Sequence, residues 1–95
     1  MKHKMKPVHP GAILREDVIK EMNLTVTEVA ENLHISRVHL SRIINEVKDI
    51  TPEMAFRLEL SFGIEAQFWL NLQSKYDLWK IKNSKRIPQI HRIAS

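Results

Sequence analysis

The stretch Thr25-Val-Thr-Glu-Val-Ala-Glu-Asn-Leu-His-Ile-Ser-Arg-Val-His-Leu-Ser-Arg-Ile-Ile-Asn45 decides how this chain folds. It reads as two short helices joined by a tight turn. Thr25 followed by Glu28 makes a capping box, in which hydroxyl and carboxylate each satisfy an amide left free at a helix start. Val29, Ala30 and Leu33 then share one face at helical spacing. Ser36 caps the second helix, whose apolar stripe is Leu40, Ile43 and Ile44. Only Leu33-His34-Ile35 is left to turn the corner. Helices joined so closely must cross steeply, and Ala30 is small enough to sit where they touch.

That is the logic of a helix-turn-helix DNA-binding motif, whose second helix offers its first turn to base edges in the major groove. With Ser36 as cap, Arg37, Val38 and His39 lie in that first turn, and Arg42 comes one turn later. Arg37 or Arg42 can bond bidentately to guanine, and Val38 can touch a thymine methyl, so these three are the candidate base readers. Thr25, Thr27, Ser36, His39, Ser41, Asn45 and Lys48 are the candidates for positioning contacts to phosphates. The corner needs a positive φ, which glycine supplies most cheaply. His34 there predicts a cost in stability, not loss of the motif.

Working outward, Met1–Val8 reads as a flexible basic arm. Helix 1 is expected from about Pro10 to Met22, with Ile13, Leu14, Val18 and Met22 facing inward and Arg15, Glu16, Asp17, Lys20 and Glu21 on a solvated face. Asn45–Ile50 has loop composition. Helix 4 starts at Thr51-Pro52-Glu53, buries Ala55, Leu58 and Phe62, and stops at Gly63. Helix 5 is expected over about Glu65–Trp79. Its stripe is Phe68, Trp69, Leu72, Tyr76 and Trp79, with Phe68 and Leu72 assigned to the core. Residues 81–95 form a basic tail in which Pro88 prevents a continuous helix and Ile87, Ile90 and Ile93 recur every third position.

At 95 residues the chain is one domain with short extensions. The absence of cysteine rules out disulfides and thiol chemistry. No apolar run approaches the roughly 20 residues that span a bilayer, so a cytoplasmic protein without a membrane partner is expected. The formal charge of +4 is unevenly spread: residues 11–79 carry 7 Lys and Arg against 11 Asp and Glu. DNA contact by the body must therefore depend on a few well-placed cations. Glu46 and Asp49, flanking Lys48, are expected to repel phosphates. The five histidines show no metal-ligand spacing, and two glycines make no phosphate loop, so neither catalysis, metal nor cofactor is expected.

Three further segments carry a resemblance: His9-Pro-Gly-Ala-Ile-Leu-Arg15, Thr51-Pro-Glu-Met-Ala-Phe-Arg-Leu58, and Phe68-Trp-Leu-Asn-Leu-Gln-Ser-Lys-Tyr-Asp-Leu78. Together they resemble the HigA/VapI-type antitoxins of bacterial toxin–antitoxin modules, within the XRE (lambda-repressor-like) helix-turn-helix class, over about residues 7–79. The Phe-Trp-Leu-Asn-Leu-Gln block is the most specific of them. In relatives a glycine commonly succeeds the equivalent of Asn45; here Glu46 does. The resemblance implies an all-α, compact five-helix lambda-repressor-like domain over residues 9–80, with the helix-turn-helix at helices 2–3. It also implies a homodimer on operator DNA that represses its own operon and binds a HigB-type mRNA endoribonuclease toxin. Trp69, Tyr76 and Trp79 on helix 5 are the expected dimer contacts. A stand-alone or phage-type XRE repressor without a toxin shares the same DNA site, and the acidic body leaves open an interaction module that no longer binds DNA.

Overall fold

The computed structural model describes residues 5–94, and the first four residues of the expected arm lie outside it. Five helices, and no strand among the described residues, make an all-α domain. Helix α1 begins as Pro10–Ile13 and runs on as a π-helical turn, Leu14–Ile19. After it come α2 (Val26–Leu33), α3 (Arg37–Ile44), α4 (Pro52–Phe62) and α5 (Ala66–Lys82).

The local signals act as expected. Thr25 Oγ1 accepts from the Glu28 amide at 3.0 Å while the Glu28 carboxylate accepts from the Thr25 amide at 2.8 Å. Ser36 and Thr51 cap α3 and α4 through the amides of His39 and Met54. Gly63, at φ 73°, ends α4 in the left-handed region. His34 occupies the same region at φ 59°, and Asn23 and Glu46 do so at 56° and 66°.

Helix 1 differs from its expectation. It ends at Ile19 and not near Met22, and i→i+5 bonds run from the Lys20 amide to the Arg15 carbonyl and from the Leu24 amide to that of Ile19. The extra residue in this turn rotates the remainder of the helix, so Leu14, Val18 and Ile19 are buried while Met22 is 56 % exposed. Arg15, expected on the solvated face, instead reaches the end of α3.

The core gathers Leu14, Val18, Val29, Ala30, Leu33, Leu40, Ile43, Met54, Ala55, Leu58 and Trp69 from all five helices. On α5 the packing corrects two expectations. Trp69 has no exposed surface and is therefore core, not a contact for a second copy. Its neighbour Phe68 is 44 % exposed and packs edge-on against the Trp69 ring. Leu72 is half-buried against the core, as is Phe62 of α4. A helix turns 100° per residue, so only one of two adjacent aromatics can face inward squarely. α5 also continues past Trp79 to Lys82. Beyond it, residues 83–94 are exposed and form no helix.

The His9-Pro-Gly segment has a packing reason. His9 is buried, its Nδ1 accepts from the Gly11 amide at 2.9 Å, and its ring meets Tyr76 edge-on at 4.9 Å. Gly11 lies against α3 so closely that a Cβ would stand 1.8 Å from the Ile43 carbonyl oxygen, which is backbone and cannot swing aside. Gly11→Ala should therefore destabilise the domain by about 2 kcal/mol or more in urea denaturation. Desolvation holds the His9 pKa below 6.5, against the opposing pull of Glu46, Asp49 and Asp77. The stability tied to neutral His9 is fully present above pH 6.5 and is lost as pH falls through its lower folded value. His9→Asn, which keeps a cap acceptor but does not titrate, should lose less stability than wild type between pH 7.5 and pH 5, read by denaturation at both.

Candidate nucleic-acid interface

Helix α3 is anchored by Leu40 and Ile43, which have no exposed surface, and by Ile44, which is nearly as buried. On the opposite side Arg37, Val38 and Arg42 are all exposed, Val38 to 64 %. Together with Ser41, and with Val26 from the start of α2, they line one shallow depression. The three expected base readers are thus brought onto one face of one capped helix. Val26 is an addition that the sequence did not single out: it is the first residue of α2 and is half-buried against the core.

The expected phosphate-positioning residues divide into groups. Thr27 and Lys48 are exposed, and Thr25 and Ser36 are exposed although their hydroxyls already serve as caps. Asn45 Nδ2 donates to Ser41 Oγ at 3.2 Å, linking two of the candidates across the last turn of α3. His39 is half-buried and turns toward α4, lining a separate depression with Ile35, Thr51, Met54 and Arg57. It stands apart from the Arg37–Arg42 group.

Both ends of the motif are held by distant side chains. Arg57 of α4 donates through Nη1 to the carbonyls of Leu33 at 2.7 Å and His34 at 3.1 Å, while its Nη2 pairs with Glu53 at 2.8 Å. A cation on the last carbonyls of α2 matches the negative end of the helix dipole and fixes the strained corner. At the far end, the amides of residues 46–48 fold back onto α3. Glu46 donates to the Ile43 carbonyl at 3.0 Å, and Val47 and Lys48 donate to that of Arg42 at 2.9 and 3.1 Å. The Ile44 carbonyl accepts from Arg15 Nη1. The carbonyls that a helix end leaves free are therefore all satisfied from Arg42 to Ile44.

The two acids beside Lys48 are also engaged. Glu46 pairs with Arg15 at 3.6 Å, and Asp49 accepts from Gln73 Nε2 at 3.2 Å. Gln73, buried on α5, accepts from the Ile50 amide at 2.8 Å and donates to Asp77 at 3.0 Å, which fixes the exit of the loop. Arg57 and Gln73 went unrecognised from sequence. A polar residue four positions after Trp69 on an apolar stripe was the available sign of a buried partner.

On α5, Tyr76 and Trp79 are half-buried, with ring centroids 6.2 Å apart. The Lys6 ammonium lies 5.7 and 5.6 Å from their centroids, and Lys80 lies 5.7 Å from that of Tyr76. Among the described residues no three His, Asp or Glu side chains gather as metal ligands would, and no helix is long and apolar enough to cross a membrane.

A family model described as Helix-turn-helix matches residues 14–69. The HTH-type transcriptional regulator YbaQ of Escherichia coli K12 is 43 % identical over 81 residues, covering 85 % of this chain and 72 % of that protein. Virulence-associated protein I of Dichelobacter nodosus is 41 % identical over 85 residues, covering 90 % and 79 %. The antitoxin HigA of Pseudomonas aeruginosa, solved with the higBA promoter, is 39 % identical with a TM-score of 0.76, covering 79 % of this chain and 82 % of that one. With the motif match spanning more than half of its length and relatives of this kind, the chain belongs to the XRE-type helix-turn-helix family, among HigA-like antitoxins and transcriptional regulators.

Proposed function

We propose that this chain is the antitoxin of a type II toxin–antitoxin module. In this reading it binds its operator as a dimer, represses its own operon and neutralises a HigB-type mRNA endoribonuclease. The observation that carries the DNA half is the joint exposure of Arg37, Val38 and Arg42 on a helix whose other side is locked into the core. Those side chains suit base edges, while Thr27 and Lys48 are free to meet the flanking backbone. The promoter complex of the Pseudomonas relative supports the same use of the fold.

Dimerisation comes from the arithmetic of recognition. One short helix reads too few base pairs for a unique site, and a twofold pair places two such helices about 34 Å apart on one side of the duplex. The last turns of α5 offer the surface for it, where Tyr76 and Trp79 adjoin Leu78 and Ile81, both about half exposed. The toxin half rests on kinship with HigA-type antitoxins alone.

Mobility shifts on the chain's own promoter test the DNA reading. Arg42→Ala should cost about 1–3 kcal/mol at the operator and relax preference at one base pair. Lys48→Ala should weaken binding to all duplexes alike and reduce the salt slope by about one. If both variants bind as wild type does, α3 is not the reading helix. Co-expression with the adjacent genes, then pull-down and a growth-rescue assay, tests the toxin. A neighbouring small ribonuclease that kills alone and is silenced in a stable complex is the expected result; no such gene leaves a stand-alone repressor.

A further inference from the structure

The guanidinium of Arg15 occupies an unusual junction. Nη1 donates to the Ile44 carbonyl, the last of the recognition helix, and lies 3.6 Å from the Glu46 carboxylate. Nε donates to Glu16 at 2.8 Å, which fixes the plane of the group. The Arg15 side chain is 29 % exposed and that of Glu46 35 %, so both charges stand at the surface edge and not in the core. Glu46 itself lies between Asn45 and Lys48, in the loop that must come near phosphates if α3 enters the groove.

An acid at this point conflicts with binding to a polyanion. The backbone of Glu46 is left-handed, φ 66°, where a residue without a side chain would be at ease. The carboxylate therefore has neither a conformational benefit nor, left to itself, an electrostatic one. What the fold supplies is a cation from α1, 31 positions earlier in the chain. The same cation ties down the carbonyl from which the loop departs.

We infer that Arg15 is a positioning residue for operator binding: by pairing with Glu46 and bonding the Ile44 carbonyl, it turns the loop's carboxylate away from the DNA backbone and leaves Lys48 as the charge that meets it. This inference rests on the operator reading above. It assigns a DNA-binding consequence to a side chain on α1, outside the helix-turn-helix. It also explains how an acidic body tolerates an acid in that loop. The bond to Ile44 alone would be a matter of fold stability; the pair with Glu46 adds an effect that appears only when DNA is present.

A four-protein cycle separates the two. Wild type, Arg15→Met, Glu46→Gln and the double variant are compared by operator binding at two salt concentrations and by thermal unfolding. Arg15→Met should weaken operator binding about ten-fold at 0.1 M salt, because the released carboxylate repels phosphate at short range. Most of that loss should disappear at high salt, when such repulsion is screened. Glu46→Gln should bind as well as wild type or better, and the double variant should recover most of the loss although it still lacks the Ile44 bond. Arg15→Lys, which keeps a charge beside Glu46, should bind nearly as wild type and covers the case in which Arg15→Met fails to fold. The inference is overturned if Arg15→Met binds as wild type, if the double variant is as weak as Arg15→Met, or if Arg15→Lys is as weak as a chain with no cation there. In those cases wild type still binds and the operator reading stands. Wild type that does not bind its own promoter overturns both.

Discussion

The carbonyl end of α3 is where this structure is decided. A reading helix must be rigid, yet its last turn lies against another helix and releases a loop toward solvent. Here that end is closed on every side. Gly11 presses onto the Ile43 carbonyl from α1, Arg15 takes the Ile44 carbonyl, and the amides of Glu46, Val47 and Lys48 return to Arg42 and Ile43. Because a side chain at position 11 would collide with backbone, the spacing between α1 and α3 depends on a missing atom. The His9-Pro-Gly segment is thus a device for setting a distance: the imidazole holds the amide, the proline starts the helix, and the glycine lets two backbones meet.

The opposite end of the motif is held by other means. Arg57 reaches across from α4 to the last carbonyls of α2, so the corner between α2 and α3 is braced from outside the motif. Gln73 does the same for the loop's exit, joining Ile50 and Asp49 to α5. The helix-turn-helix is then a pair of short helices clamped by three others. Their cores merge around Leu14, Leu40, Leu58 and Trp69, all without exposed surface. Buried area gives the domain its cohesion, and the polar clamps fix which way the reading face points.

The parts of this arrangement that were legible in the sequence are the local ones. Thr25 with Glu28, Ser36, Thr51 and Gly63 act on residues within four positions, so their spacing alone announces them. The inward and outward sides of α2 and α3 are set by strong 3.6-residue periodicity. What the sequence hid is of two kinds. Arg15, Arg57 and Gln73 act on groups 23 to 31 positions away, and no periodicity signals a partner at that range. The other kind is rotational. The π turn of α1 displaced Met22 from the core, and on α5 apolar residues on most sides of the helix left Trp69 and Phe68 interchangeable until packing chose between them.

The three left-handed positions held by Asn23, His34 and Glu46 bear on the unfolded chain as much as on the folded one. A glycine at each would relax the native backbone, but it would also give the denatured chain freer links and so more entropy to surrender on folding, roughly 0.4–1 kcal/mol at a site. The left-handed penalty for a residue with a Cβ is larger, about 1–2 kcal/mol. The first contribution offsets part of the second and leaves a modest net cost at each corner. A chain with glycine at only positions 11 and 63 can therefore turn its corners with ordinary residues and still keep a stiff hinge between the helices that grip and the helix that reads.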